Sequence, residues 1–179
     1  MSRVESVDSG QAPLLARAYY PENGQASPIV HAPAQVPELL EVALPFLGRV
    51  FGPTSVALRT KEIVVLRVSA NNGCRYCVDT HTVAAWDAGL TPAETAELRG
   101  AAAGFAPAEE ALIAFCDAFA DAPAPVPDEA ADGLRAHFAE HEVVELSLVA
   151  GATAMLNRFC TALELPTAPT TRARLEAAV

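Results

Sequence analysis

Hydrophobic residues recur at helical spacing through most of this chain. The segment PELLEVALPFLGRVFG, which starts at Pro37, has this period, and TSVALRTKEIVVLRVSA is apolar on nearly every face, as is typical of a buried helix. Alternating strand patterns are missing, and IVVLRV, although strand-like in composition, lies inside this helical segment. The sequence therefore predicts an all-α fold. Further helices are predicted over residues 74–88, 107–121, 127–138 and 140–165.

Two helix boundaries carry specific signals. Gly89 followed by Leu90 fits a glycine C-cap with an apolar residue after it. The next four residues begin a new helix, with Thr91 as N-cap, Pro92 at the first helical position and Glu94 closing a capping box. A short connection between two helices is therefore expected here.

The pattern divides the chain into three parts. Residues 1–35 are polar with scattered Pro and Gly and are predicted to form an irregular N-terminal arm. Residues 36–168 form the helical domain, within which Asp121–Pro127 is read as a Pro-Ala loop. Residues 169–179 are a polar C-terminal tail.

Composition narrows the class of protein. A chain of 179 residues suits one full-sized domain. Its charged fraction of 19% is below the roughly 25% of an average soluble domain, which indicates extra buried surface such as a subunit interface. The net charge of −10, with only 12 Lys and Arg and no basic run, argues against a nucleic-acid partner.

The same composition bears on location. No stretch approaches the roughly 18 uninterrupted apolar residues of a membrane span, and MSRVESVDSG lacks the apolar core of a signal peptide. We therefore expect a cytoplasmic protein without a membrane partner.

Four cysteines are present: Cys74, Cys77, Cys116 and Cys160. Without an export signal, a structural disulfide framework is not expected, and a close pair points to catalysis or metal binding. Cys116 and Cys160 lie among Phe, Ala and Leu at helical spacing, so they are predicted to be buried core thiols.

The candidate chemistry is concentrated in NGCRYCVDTH. On a helix, Cys74, Cys77 and His81 share one face, and neighbours at this spacing can form a disulfide after a small adjustment. Gly73 suits a tight turn before the helix, whose first turn favours a thiolate. His81, one turn after Cys77, can accept a proton from it or return one.

Glu62 is a carboxylate among apolar residues of the preceding helix and needs a partner. It could orient His81 and complete a thiol–imidazole–carboxylate relay. It could equally form a salt bridge with Arg59, one turn earlier. The local pattern leaves both interpretations open.

A zinc site is the main rival. Cys74, Cys77 and His81 offer three ligands, and His137 and His141 have a spacing seen in zinc sites. About sixty residues separate the two halves, and such a site leaves the buried carboxylate unexplained. We therefore expect neither a metal nor a cofactor. A thioredoxin-like domain would need a strand before its cysteine pair, and none is predicted.

Glu62, eleven further residues and then Cys74-x-x-Cys77-x-x-x-His81 resemble the core motif of the carboxymuconolactone decarboxylase superfamily, in its alkylhydroperoxidase D-like branch. The surrounding VSANNGCRYCVDTHTVAA is similar to that branch in detail, and HEVVELSLVAGATAMLNRFCTAL resembles the family's C-terminal helix. Together the similarities cover about residues 37–165.

The resemblance implies an alkylhydroperoxidase D-like helical bundle that forms a homo-oligomer, often a trimer or hexamer. It implies reduction of hydroperoxides by the Cys74 and Cys77 redox pair, with His81 and Glu62 as proton relay and an external thiol or dithiol as reductant. Some members have His directly before the second cysteine, where this chain has Tyr76.

We expect the Cys77 thiolate to attack the peroxide and become a sulfenic acid, which Cys74 then converts to a disulfide. The reverse assignment of the two thiols is chemically allowed. Two other functions remain open. One is a lactone-handling or decarboxylating enzyme on the same fold, although members with that activity generally lack the cysteine pair. The other is a non-enzymatic oligomer that responds to redox state.

Overall fold

The computed structural model describes residues 2–22, 26–121 and 125–178. These residues contain α-helices, three short 3₁₀ turns and no β-strand, so the all-α prediction is confirmed. The helices are α1 Pro28–His31, α2 Pro37–Phe51, α3 Leu58–Asn71, α4 Arg75–Asp87, α5 Pro92–Glu97, α6 Pro107–Ala120, α7 Asp128–Arg135, α8 Glu140–Ala162 and α9 Pro169–Ala177.

Helix α3 forms the centre of the domain. It packs against α4, α6 and α8, and Ile63, Val64, Leu66 and Val68 on different sides of it are fully buried. A helix that is apolar nearly all round needs neighbours on several sides to remove its surface from water. The predicted buried helix is therefore confirmed, and it supplies the fixed base of the site described below.

The connection between α4 and α5 follows the predicted caps. Gly89 adopts a positive φ of 95°, and the Leu90 N–H donates to the Ala85 carbonyl at 2.9 Å. The Thr91 N–H donates to Glu94 Oε2 at 2.7 Å, and the Glu94 N–H donates to Thr91 Oγ1 at 3.2 Å. This capping box satisfies donors that the first helical turn otherwise leaves unpaired.

The N-terminal arm, predicted to be irregular, contains several short helical turns. Its described residues form the 3₁₀ turns Ser9–Gln11, Leu14–Tyr19 and Pro33–Gln35 and the single-turn helix α1. They join α2 through a small apolar cluster: Val7, Ala12, Ala16, Ala34 and Leu40. The arm therefore lies against the domain, while residues 23–25 fall outside the described part of the chain.

The predicted polar tail contains α9, which packs on α4. Arg174 donates to both carboxylate oxygens of Asp87, at 2.8 and 2.7 Å. Of the predicted Pro-Ala loop, residues 122–124 lie outside the described part. The domain boundaries themselves stay a prediction.

Helix α8 is long and apolar enough to cross a membrane by length and composition alone. In the fold it is a core helix, since Leu146, Val149 and Ala150 are fully buried and α8 packs on α3. Buried core helices of other proteins can have the same length and apolar composition.

A buried lysine ties three helices together. Lys61 on α3 is only 1% exposed, and its Nζ donates to the carbonyls of Val50 and Gly52, each at 2.8 Å. Glu145 of α8 neutralises the ammonium, with Oε1 at 2.6 Å from Nζ. The lysine therefore links the C-terminal end of α2 to α3 and α8.

Replacing Lys61 by methionine should destabilise the protein by about 3 kcal/mol, because it leaves two carbonyls without their donor and the Glu145 carboxylate without its cation. Urea unfolding at a fixed protein concentration measures this. Arg135→Met is the control, since it breaks only the exposed ion pair with Asp132 and should change stability little. Equal stability of the Lys61 variant and wild type would contradict the role assigned to this contact.

Candidate active site

A tight turn places the first cysteine at the start of α4. Gly73 has a positive φ of 65°, which glycine adopts at low cost. Cys74 follows in extended conformation as the N-cap of α4, and its Sγ accepts a hydrogen bond from the Cys77 N–H at 3.3 Å. The Cys74 N–H donates back to the Ser69 carbonyl at 3.0 Å. Both cysteines therefore lie at the N-terminal end of the helix, where partial positive charge favours a thiolate.

The two cysteines form a disulfide, with a Cα–Cα distance of 5.3 Å. Both are buried, with 1% of Cys74 and 5% of Cys77 exposed. The predicted helical spacing thus brings the sulfurs together within one turn.

Glu62 contacts the histidine rather than the neighbouring arginine. Its Oε2 lies 2.9 Å from His81 Nδ1, and both side chains are largely buried. Arg59 instead pairs with Glu94 at 2.5 Å and Glu109 at 2.8 Å, and its guanidinium lowers the pKa of Glu94 to about 2. An ionised Glu62 can only accept, so Nδ1 carries the hydrogen and Nε2 is left to exchange a proton.

A pocket of about 330 Å³ opens beside this pair. Cys77 and His81 line it together with apolar side chains of α2 and α3, including Leu44, Phe51 and Val65. The Phe51 ring lies 6.0 Å from the His81 ring. The volume and the apolar walls of the pocket suit a small organic molecule.

The N-terminal arm and Tyr76 close one side of this pocket. Ser27 and Ile29 of the arm line it, and Ser27 Oγ lies 3.0 Å from the Tyr76 hydroxyl in a hydrogen bond. Tyr76 is buried, and burial raises the pKa of its phenol. The residue that stands where some relatives have His thus anchors the arm over the pocket.

Polar side chains at the end of α3 and on α8 connect across the pocket. The Asn157 amide donates to Ser69 Oγ at 2.9 Å and accepts from Asn72 at 3.0 Å. Asn157 and Ser69 both line the pocket. Asn157 therefore joins α8 to the C-terminal end of α3 at the edge of the site.

A second recess, of about 260 Å³, lies on the other side of the cysteines. Gly73, Cys74, Tyr76 and Cys160 line it, and Cys77 is not among its described lining residues. The two thiols of the pair therefore face different openings: Cys77 faces the apolar pocket and Cys74 faces this outer recess.

Cys160 is the site residue that sequence reasoning missed. It is buried, as predicted, but it is more than a core thiol, because its Sγ lies within 4.8 Å of the sulfurs of Cys74 and Cys77. Burial raises the pKa of its thiol to about 12. The available signal was its position one turn after Asn157 on the same face of α8.

The remaining candidates lie elsewhere. Cys116 is fully buried in the main core, where burial raises the pKa of its thiol. His137 and His141 are exposed. Within the part of the chain that the structure describes, they do not join Cys74 and Cys77 in a cluster of close ligand atoms.

Comparison with known proteins places the chain in a family. Residues 37–118 match the carboxymuconolactone decarboxylase family. The Bacillus subtilis protein YdfG is 30% identical over 113 residues, which cover 62% of this chain and 77% of that protein. YdfG is itself uncharacterised.

Solved structures share the fold. A protein of unknown function from Agrobacterium tumefaciens, with a proposed AhpD-type role in antioxidant defence, is 26% identical with a TM-score of 0.71, covering 76% of this chain and 94% of its own. The debrominase Bmp8 is 19% identical with a TM-score of 0.82, covering 100% of this chain and 99% of its own. A cysteine-to-alanine variant of Bmp8 has been crystallised with 2,3,4-tribromopyrrole.

The matched segment contains Glu62, Cys74, Cys77 and His81. Cys77 and His81 line the apolar pocket, Cys74 is bonded to Cys77, and Glu62 contacts His81. The similarity to the family therefore extends over the site as well as the helices. The chain belongs to the carboxymuconolactone decarboxylase family, in its alkylhydroperoxidase D-like branch.

Proposed function

We propose that this protein is a thiol-dependent reductase of organic hydroperoxides. One observation carries the proposal: Cys77 and His81 open onto the same apolar pocket, while Cys74, the disulfide partner of Cys77, faces a separate recess. This arrangement separates a side for the substrate from a side for the reductant.

The first step follows from the pocket. The Cys77 thiolate attacks the terminal oxygen of ROOH, the O–O bond breaks, and Cys77 becomes a sulfenic acid. The departing alkoxide takes a proton and leaves as ROH. His81, held by Glu62 at 2.9 Å, takes the proton of the Cys77 thiol on its Nε2 as the thiolate forms and passes it to the departing alkoxide.

The second step joins the two cysteines. The Cys74 thiolate attacks the Cys77 sulfenic sulfur, the S–O bond breaks, and the oxygen leaves as water after protonation. Cys74 is held for this attack at the helix start, where its sulfur already accepts the Cys77 N–H. An external thiol or dithiol then enters the outer recess and attacks Cys74, which releases Cys77 as a thiol and leaves a mixed disulfide on Cys74. A second thiol, from the same dithiol or from another molecule, displaces Cys74 and completes the reduction.

The pocket indicates the substrate class. Its walls are mostly apolar, and its volume is about 330 Å³, near the lower end of ligand pockets. A hydroperoxide with a small alkyl or aromatic group would replace water there favourably. Hydrogen peroxide has no apolar group to bury, so we expect it to react more slowly.

Homo-oligomer formation and a cytoplasmic location also remain proposals. Large apolar side chains stay exposed on two helices that pack together: Leu39, Val42 and Phe46 on α2, and Leu148 and Met155 on α8. Such exposure is typical of subunit interfaces, which supports a second copy of the chain as partner.

The proposal is tested by treating the reduced protein with a short pulse of an alkyl hydroperoxide, followed by intact-mass measurement and peptide mapping. We expect rapid formation of a Cys74–Cys77 disulfide with Cys116 still reduced. A slow, indiscriminate oxidation of all cysteines would contradict the proposal.

Two other results would favour a different function. Release of bromide from a bromopyrrole, with no reaction toward hydroperoxides, would favour chemistry like that of the debrominase. A change of assembly size on oxidation without turnover would favour a redox-responsive oligomer.

A further inference from the structure

Three buried sulfurs form a cluster that reaches beyond the redox pair. The Sγ atoms of Cys74, Cys77 and Cys160 all lie within 4.8 Å of one another, and all three residues are buried. The third sulfur comes from α8, and the other two come from the start of α4. A disulfide needs only two of them, so the hydroperoxide chemistry leaves Cys160 unexplained.

We propose that in the reduced protein Cys74, Cys77 and Cys160 form a three-sulfur binding site for trivalent arsenic, which the Cys74–Cys77 disulfide closes. An ion bound to three sulfurs needs bonds of roughly the 2.3 Å seen for zinc and thiolate. Because the sulfurs are already within 4.8 Å of one another, small side-chain rotations suffice once the disulfide is opened.

The surroundings favour a neutral complex. The buried residues that cluster with the three cysteines, Ala32, Tyr76 and Leu165, are uncharged, and the charged residues that line the outer recess, Arg75 and Glu164, are exposed to solvent. Three thiolates around a divalent ion leave one negative charge, and around a monovalent ion they leave two. A buried charge without a partner is costly. Trivalent arsenic with three thiolates is neutral and therefore fits this apolar setting.

The number of available ligands also favours trivalent arsenic over zinc. Structural zinc is almost always bound by four ligands. Within the part of the chain that the structure describes, the cluster of mutually close ligand atoms contains these three sulfurs, and His81 is not among them. Trivalent arsenic needs only three donors. The proposed arsenic site uses Cys160 as its third ligand, whereas the zinc site considered from the sequence used His81.

The binding reaction needs neither an oxidant nor a thiolate at rest. Arsenous acid, As(OH)₃, exchanges its three hydroxyl groups for three sulfurs, and each hydroxyl leaves as water with the proton of one thiol. Arsenic stays trivalent throughout. Cys160 can therefore take part as a protonated thiol, the form that burial favours by raising its pKa.

Both openings give access to the cluster. Cys77 and Cys160 line the apolar pocket, and Cys74 and Cys160 line the outer recess. An ion held there would occupy Cys77, so binding and peroxide reduction would exclude each other. The inference itself does not depend on the peroxidase activity.

The test is arsenite binding to the full protein, reduced with a phosphine that carries no thiol. Native mass spectrometry should show one arsenic atom in place of three thiol protons, and arsenic X-ray absorption should count three sulfur neighbours. Cys160→Ser should retain one hydroxyl on arsenic and bind about tenfold more weakly or worse, because one intramolecular bond is lost. Cys116→Ser should behave as wild type, and protein oxidised beforehand should bind none.

The proposal is overturned if wild type and Cys160→Ser bind arsenite with the same affinity and the same two-sulfur adduct. It is also overturned if the reduced wild type holds zinc through the three sulfurs and excludes arsenite. Should Cys160→Ser fail to fold, Cys160→Ala tests the same bond, and the sulfur count in wild type is decisive by itself. Loss of peroxidase activity with arsenite binding intact would leave this site standing.

Discussion

Replacing Cys77 by serine should reduce the turnover of an alkyl hydroperoxide to the uncatalysed background. Serine keeps the size of the side chain, but its hydroxyl is a far weaker nucleophile than a thiolate at neutral pH. Cys77 and His81 both line the apolar pocket, and the substitution removes the sulfur of Cys77 from it. Steady-state assays with a small dithiol as reductant measure the effect.

The companion variant Cys74→Ser separates the two roles of the cysteines. It should still consume about one equivalent of hydroperoxide, because Cys77 and His81 remain, but it should not turn over, because the Cys74–Cys77 disulfide cannot form. Cys116→Ser, in the main core, is the control and should keep wild-type turnover. Conversion of a lactone that is undiminished in Cys77→Ser would support a lactone-handling enzyme in which the cysteines are incidental. The opposite pattern of the two variants toward the hydroperoxide would make Cys74 the peroxidatic thiol.

Replacing Glu62 by glutamine should lower the rate of Cys77 oxidation by about a hundredfold or more, the lower range of general acid–base effects. The amide keeps the shape of the side chain but removes the charge 2.9 Å from His81 Nδ1. Glutamine can also turn its NH₂ group toward Nδ1, so the tautomer that leaves Nε2 free to take a proton is no longer fixed. Stopped-flow measurement of Cys77 oxidation, with circular dichroism of the same samples, separates this effect from a general loss of structure.

Glu109→Gln is the matched control. It also converts a partly buried carboxylate into an amide, but its partner is Arg59 rather than the histidine. The rate of Cys77 oxidation in this variant should match wild type, even if its stability falls slightly. An unchanged rate of Cys77 oxidation in Glu62→Gln would show that Glu62 has no part in the proton relay.

Local information was sufficient for the helices and for one part of the site. The Gly89 and Thr91 signals depend on residues within one turn, and both caps appear as predicted. The Cys74–Cys77 pair likewise depends on the spacing of a single helix. Short-range geometry of this kind is nearly independent of the rest of the fold.

Contacts between distant segments needed the tertiary structure. From sequence, Glu62 had two equally good partners. Only the packing of α3 against α4 decided for His81, while Glu94 and Glu109 took Arg59. The same holds for Lys61, whose buried position depends on carbonyls at the end of α2 and on a carboxylate from α8.

Sequence by itself determined the all-α class, the main helix boundaries and the presence of a redox-capable cysteine pair beside a histidine, because periodicity, caps and helical spacing are local properties of the chain. Tertiary structure alone decided that the N-terminal arm closes the pocket through Ser27 and Tyr76 and that Cys160 joins the pair. Cys160 is eighty-three residues beyond Cys77, and no local pattern reports which faces of two such distant helices meet. Burial between packed helices, rather than spacing along one of them, places that third sulfur.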